Sequence, residues 1–117
     1  MYYCTMYSKE LLKGTLQVII LKLLAEHGTM YGYEISQKVK ELSAEKIVLK
    51  DGSLYPALQK MLQDGLVDFK EEAVGKRVRK YYRLTATGSA RQKDSLQEIR
   101  DFIGTLNDIL SLKLIAV

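Results

Sequence analysis

Apolar residues recur along this chain at two spacings, and the changes between them divide it into elements. From Ser8 to Gly28, Leu12, Leu16, Ile19, Ile20 and Leu23 fall three or four residues apart, which predicts one helix ended by His27-Gly28. Leu11, Val18 and Leu21 lie outside that stripe, so the helix is expected to be covered on more than one side. After a turn over Gly28 to Gly32, Ile35, Val39 and Leu42 give a short amphipathic second helix with Lys38 and Lys40 outward. Ile47 and Val48 hint at a brief strand.

A third helix opens near Asp51-Gly52-Ser53, and the single proline, Pro56, bears on its first residue. Proline fits the first turn, where the N–H it lacks has no intrahelical acceptor, and costs about 3 kcal/mol deeper in. Ser53 is therefore the expected N-cap, ahead of Asp51, with Leu58, Met61 and Leu62 on the core side and Gly65 at the end. Leu66 to Ala73 and Arg77 to Leu84 then read as the strands of a hairpin turning at Val74-Gly75-Lys76. In the second strand Val78, Lys80, Tyr82 and Leu84 alternate with Arg77, Arg79, Tyr81 and Arg83, which predicts an inward face and a cationic one.

Thr85 caps a last, proline-free helix running through most of Ala86 to Val117. Its Leu96, Ile99, Ile103, Leu106 and Leu110 are spaced as in a helix that packs along another helix, and Phe102, Ile109, Leu112 and Ile115 widen the stripe. So much apolar surface calls for a partner, and a homodimer is expected through Leu12, Leu16, Leu96, Ile99, Ile103, Leu106 and Leu110.

Composition narrows the function. With 117 residues, 47% hydrophobic and 27% charged, the chain suits an ordinary globular fold. The net charge of +4 gains meaning from its placement, because Lys76, Arg77, Arg79, Lys80 and Arg83 crowd the hairpin. Cys4 is the only cysteine, no signal peptide is recognisable and no apolar run is long enough for a membrane span, so a cytoplasmic protein is expected. One histidine, no phosphate loop and no metal-ligand spacing leave catalysis, cofactors and metals without a motif.

Three helices followed by a hairpin are the layout of a winged helix-turn-helix: a mainly α fold with a small β wing, spanning residues 1–84, with a C-terminal dimerisation helix over 85–117. In that layout the start of the third helix meets base edges in the major groove, here Ser53, Leu54, Tyr55 and Pro56, then Gln59 and Lys60 one turn on. Lys76 and Arg77 at the wing tip would reach phosphates or the minor groove. The expected partner is double-stranded DNA carrying an inverted repeat. A hairpin used on an acidic protein surface is the alternative.

Four motifs then make a resemblance specific: YGYEI at Tyr31 to Ile35, GSLYPAL at Gly52 to Leu58, DGL at Asp64 to Leu66, and KYYRLT at Lys80 to Thr85 followed by Gly88. In this order they resemble the PadR family of bacterial transcriptional regulators, in its short form with one C-terminal helix. The resemblance implies a homodimeric repressor released by an effector. It implies DNA contact by Ser53, Tyr55, Pro56 and Lys60 and a phosphate contact by Tyr33, with Lys76, Arg77 and Arg79 matching the family's basic wing in general terms. Some short members stack flat apolar compounds between the dimer's helices, for which this chain offers Phe102, with Ile99 and Ile103 beside it, and no tryptophan, so that a seat for a small apolar effector and plain dimer packing both stay open there.

Overall fold

The computed structural model describes residues 7–113, and its elements follow in the order α1 (Lys9–Leu12), α2 (Leu16–His27), β1 (Met30–Tyr31), α3 (Gly32–Leu42), α4 (Asp51–Gln63), β2 (Val67–Val74), β3 (Arg77–Leu84) and α5 (Ala86–Leu110). Cys4 and Ile115 lie outside the described residues. The single helix expected from Ser8 to His27 is two. Ser8 caps α1 by accepting from the Leu11 N–H at 3.2 Å, and Gly14 then takes φ +90°, which no α-helix accommodates. Leu12 and Leu16 keep helical spacing across that break because helices resume on both sides of it.

α2 is the central strut, with Ile20, Leu21, Leu23 and Leu24 all buried. Leu21, expected off the stripe, is in the core because α3, α4, α5 and β3 all pack on this helix. In α3, Ile35 and Val39 are buried as expected, but Leu42 is 67% exposed. It occupies the last turn, beyond the neighbours that cover the rest of the stripe. Beyond it Ile47 makes a single bridge, and residues 48–50 form no strand.

The sheet has strand order β1-β3-β2, antiparallel throughout. β1 was not foreseen; its two residues pair Met30 with Tyr82 and Tyr31 with Tyr81. β2 and β3 pair from Val67↔Leu84 to Val74↔Arg77, so the turn is Gly75-Lys76, one residue tighter than expected, with Gly75 at φ +62°. Val67 and Tyr82 are buried near the hairpin's base, whereas Val78, expected inward, is 64% exposed. The outer half of the hairpin extends past the core as a projecting wing.

α5 leaves the wing under tight control. The Thr85 hydroxyl accepts the Gly88 N–H at 3.0 Å and donates to the Gly65 carbonyl at 2.6 Å, while the Thr85 N–H donates to the Leu66 carbonyl at 3.0 Å. Gly88 is buried directly against that carbonyl, where any side chain would collide with backbone. α5, 25 residues long, packs on α2 through its first half and extends beyond it, and the whole is a winged helix-turn-helix with a long C-terminal helix.

Candidate nucleic-acid interface

The outer face of α4 is set by what its inner face buries. Leu54, Leu58 and Met61, spaced four and three apart, are core residues, and this turns Ser53, Tyr55, Pro56, Gln59 and Lys60 toward solvent. Leu54, read as able to meet a base, is 1% exposed and unavailable. The expected N-cap also moves. Lys50 caps α4, with its carbonyl accepting from Ser53 and Leu54 at 2.9 Å, so Pro56 stands inside the helix rather than in its first turn. The intrahelical bond thereby lost belongs to the carbonyl of Gly52, which is exposed and open to water, and burial of Leu54 holds the extra turn in place. Ser53 is spared the capping role. Lys60 pairs with Asp64 at 3.3 Å, an exposed i,i+4 contact of the kind worth about 0–1 kcal/mol and readily exchanged for another anion.

Tyrosines join this helix to the wing. Tyr55 is 43% exposed, and its hydroxyl end lies on Gly32, where a Cβ would stand 2.8 Å from the ring carbon that bears the hydroxyl. Gly32 is flanked by Tyr33, which is exposed, and by Tyr31, and the two rings stack at 6.4 Å between centroids. Tyr31 meets Tyr81 edge-on at 5.3 Å, and the Arg79 guanidinium lies 4.2 Å from the Tyr31 centroid. The Tyr81 side chain raises the pKa of Arg79 above its ordinary value, chiefly by hydrogen bonding, with smaller electrostatic contributions from Tyr31, Tyr81 and Glu34. Tyr82, on the other face, is buried, and burial pushes its phenol upward, with Tyr55 adding to the effect.

The wing carries six basic residues against three acidic ones between Val67 and Leu84, and register decides which of the six stay available. Arg83 is held by its cross-strand neighbour Asp68 at 2.6 Å. Lys80 lies over Phe69 on the opposite face, 4.7 Å from the ring centroid. Lys76 and Arg77 sit at the tip, where no acid stands opposite, and among the described residues neither forms an ion pair. Tyr33, Tyr55 and Arg79 are thus brought into one connected cluster, Ser53, Pro56, Gln59 and Lys60 extend it along α4, and Lys76 and Arg77 lie about 7–10 Å further out on the hairpin. Sequence reasoning missed Tyr31 and Tyr81 as members. YGYEI and KYYRLT, read together, held that signal.

The residues expected at a dimer interface line two adjoining grooves, which share Ile19 and Ile47, and the outer stripe of α5. Leu12 and Leu16 line a cavity of about 350 Å³ with Ile19, Ile47 and Leu49. Leu96 and Ile99 border a second groove, of about 370 Å³, against Val18, Ile19 and Leu23 of α2. Leu106 is half-buried, while Ile103 and Leu110 are exposed with Phe102, Ile109 and Leu112. Of the three residues considered for an effector, Ile99 therefore faces α2, and Phe102 and Ile103 stand in solvent.

Comparison with known proteins bears on this arrangement. The family model described as the transcriptional regulator PadR-like family matches residues 20–94. The negative transcriptional regulator PadR of Bacillus subtilis (strain 168) is 30% identical over 99 residues, which cover 84% of this chain and 54% of that protein, so the chain spans about half of its length. Among solved structures, a transcriptional regulator from Clostridium thermocellum superposes with a TM-score of 0.73 at 29% identity, covering 91% of this chain and 100% of that one. The structure of Bacillus subtilis PadR in complex with operator DNA superposes at 0.64 and 30% identity, covering 73% of this chain and 48% of that one.

Proposed function

Because the chain belongs to the PadR-like family of transcriptional regulators, we propose that it is a homodimeric repressor that binds an inverted-repeat operator through α4 and the wing. The observation that carries this reading is the continuity of the surface: Tyr55 of α4 touches Gly32 beside Tyr33, and Tyr31 passes the contact to Arg79 of β3. A helix face and a basic hairpin fixed relative to each other can follow groove and backbone together. In this reading Ser53, Tyr55, Pro56 and Gln59 meet base edges, Lys60 reaches a guanine or a phosphate, and Tyr33, Lys76, Arg77 and Arg79 hold phosphates. The relative that shares this fold with operator DNA bound, and is named a negative regulator, supports both duplex DNA as partner and repression as outcome.

Residues 1–84 then form the DNA-binding unit, and 85–117, with α5, the dimerisation segment. Exposed Phe102, Ile103, Ile109 and Leu110 on α5 supply the apolar surface that a second copy would cover, together with Leu12, Leu16, Leu96, Ile99 and Leu106. A small apolar effector lodged between the paired helices at Ile99, Phe102 and Ile103 would release the operator. The reading assigns the chain no catalytic step, metal or cofactor and places it in the cytoplasm with the chromosome. Among the described residues no helix is long and apolar enough to cross a membrane.

Footprinting on the DNA upstream of the protein's own gene tests the proposal. Two protected half-sites about 34–36 Å apart, related by a two-fold axis, are expected. Uniform cleavage across that region at saturating protein would contradict it.

A further inference from the structure

Arg79 does not take the partner that its register offers. Its cross-strand neighbour on the same face is Glu72, a carboxylate placed where a long cationic side chain would ordinarily pair. Glu72 instead stands 3.9 Å from Lys70, and the Arg79 guanidinium lies over the ring of Tyr31. That ring is itself fixed from several sides. Tyr31 pairs with Tyr81 in the sheet, receives the Tyr81 ring edge-on, and donates its N–H to the Glu34 carboxylate at 3.0 Å. Glu34 is the acid of α3 whose charge reaches Arg79, and its carboxylate is already engaged by that N–H. A guanidinium over an aromatic ring, with one donor given to the Tyr81 side chain, keeps its other N–H donors for a further partner, whereas one captured by a carboxylate spends two more of them.

We propose that Tyr31 is a positioning residue for Arg79, holding its guanidinium away from Glu72 so that its remaining donors grip a DNA phosphate between the recognition helix and the wing. The inference rests on the DNA-binding reading above and adds to it a division of labour: Arg79 makes the contact, and Tyr31 sets its direction.

The test measures affinity of the full chain for a mixed-sequence duplex by fluorescence anisotropy over a salt series, where each lost phosphate contact flattens the log-log slope by about 0.9 per protomer. Arg79→Ala and Tyr31→Leu are expected to flatten it equally, the double variant no further, and Tyr31→Phe, which keeps the ring, not at all. Tyr31→Leu/Glu72→Gln is expected to restore the slope, since the released guanidinium then has no carboxylate to capture it. A merely structural role for Tyr31 would not be rescued at Glu72. Should Tyr31→Leu fail to fold, the unmodified protein still decides the matter: the Arg79 Hε proton resonance is expected upfield, shifted by the Tyr31 ring current. A wild-type slope unchanged in Tyr31→Leu, no rescue by Glu72→Gln, or an Arg79 Hε at its ordinary position would overturn the proposal. A wild-type protein with no salt-dependent binding would instead overturn the DNA-binding reading beneath it.

Discussion

Tyr55 and Tyr82 are neighbours in the fold with opposite surroundings, and each supports a prediction. Tyr82 is buried, and its phenol titrates above the ordinary value of 10.0 because burial opposes the phenolate. A pKa raised on folding contributes stability that is complete below about pH 10 and is lost as pH climbs through the folded value. Urea melts at stepped alkaline pH should therefore show wild type losing stability more steeply than Tyr82→Phe above pH 10, with parallel behaviour below it. Tyr55 is half in solvent and depends on the missing side chain of Gly32. Gly32→Ala would push the ring off α3, so DNA affinity is expected to fall about tenfold, or about 1.4 kcal/mol. The helix itself should survive, because alanine suits a helix better than glycine. A Gly32→Ala protein that binds as well as wild type would show that the Tyr55 seat is unimportant.

At the scale of elements, the two sides of α4 separate stability from recognition. Leu54→Ala should cost about 2–5 kcal/mol of folding free energy, as truncations of fully buried leucines do, and Gln59→Ala about 0.5 kcal/mol or less. In operator binding under conditions where both proteins are folded, the order should reverse. Much of this architecture was legible beforehand because it rests on periodicity: the helical spans of α3 and α5, the burial of Leu58 and Met61, and the inward Tyr82 of β3 all appear in the fold, whereas the alternation fails at Val78, beyond the edge of the core. The failures have a common cause, which is that a competing tertiary contact outweighed a local rule. Helical spacing on both sides of Gly14 concealed a break that one positive φ enforces. The cost of Pro56 argued for a late start to α4, yet burying Leu54 and exposing the Gly52 carbonyl made the earlier start acceptable. β1 is too short to show any period, and its partners Tyr81 and Tyr82 lie some fifty residues away in the chain. The Tyr31–Arg79 contact depended on that pairing and could not be read before it.

On the scale of the whole molecule, one chain shows two surfaces with different needs. The α4 and wing surface, though it also exposes Tyr33, Tyr55 and Val78, is rich in polar and charged side chains and cationic at the hairpin tip. The outer stripe of α5 is not, with Phe102 57% exposed and Ile109 and Leu110 beside it. Covering that stripe with a second copy, as proposed, would set two α4 helices at a fixed separation, and the apolar surface and the cationic one would then serve a single geometry. If each protomer neutralises about four phosphates, a dimer should lose affinity for duplex DNA with a log-log salt slope near −7. That slope, measured on the upstream DNA by anisotropy with sedimentation confirming two copies per duplex, tests the account most directly. A slope near −7 with two copies bound is the predicted result, and salt-independent binding or one copy per site would contradict it.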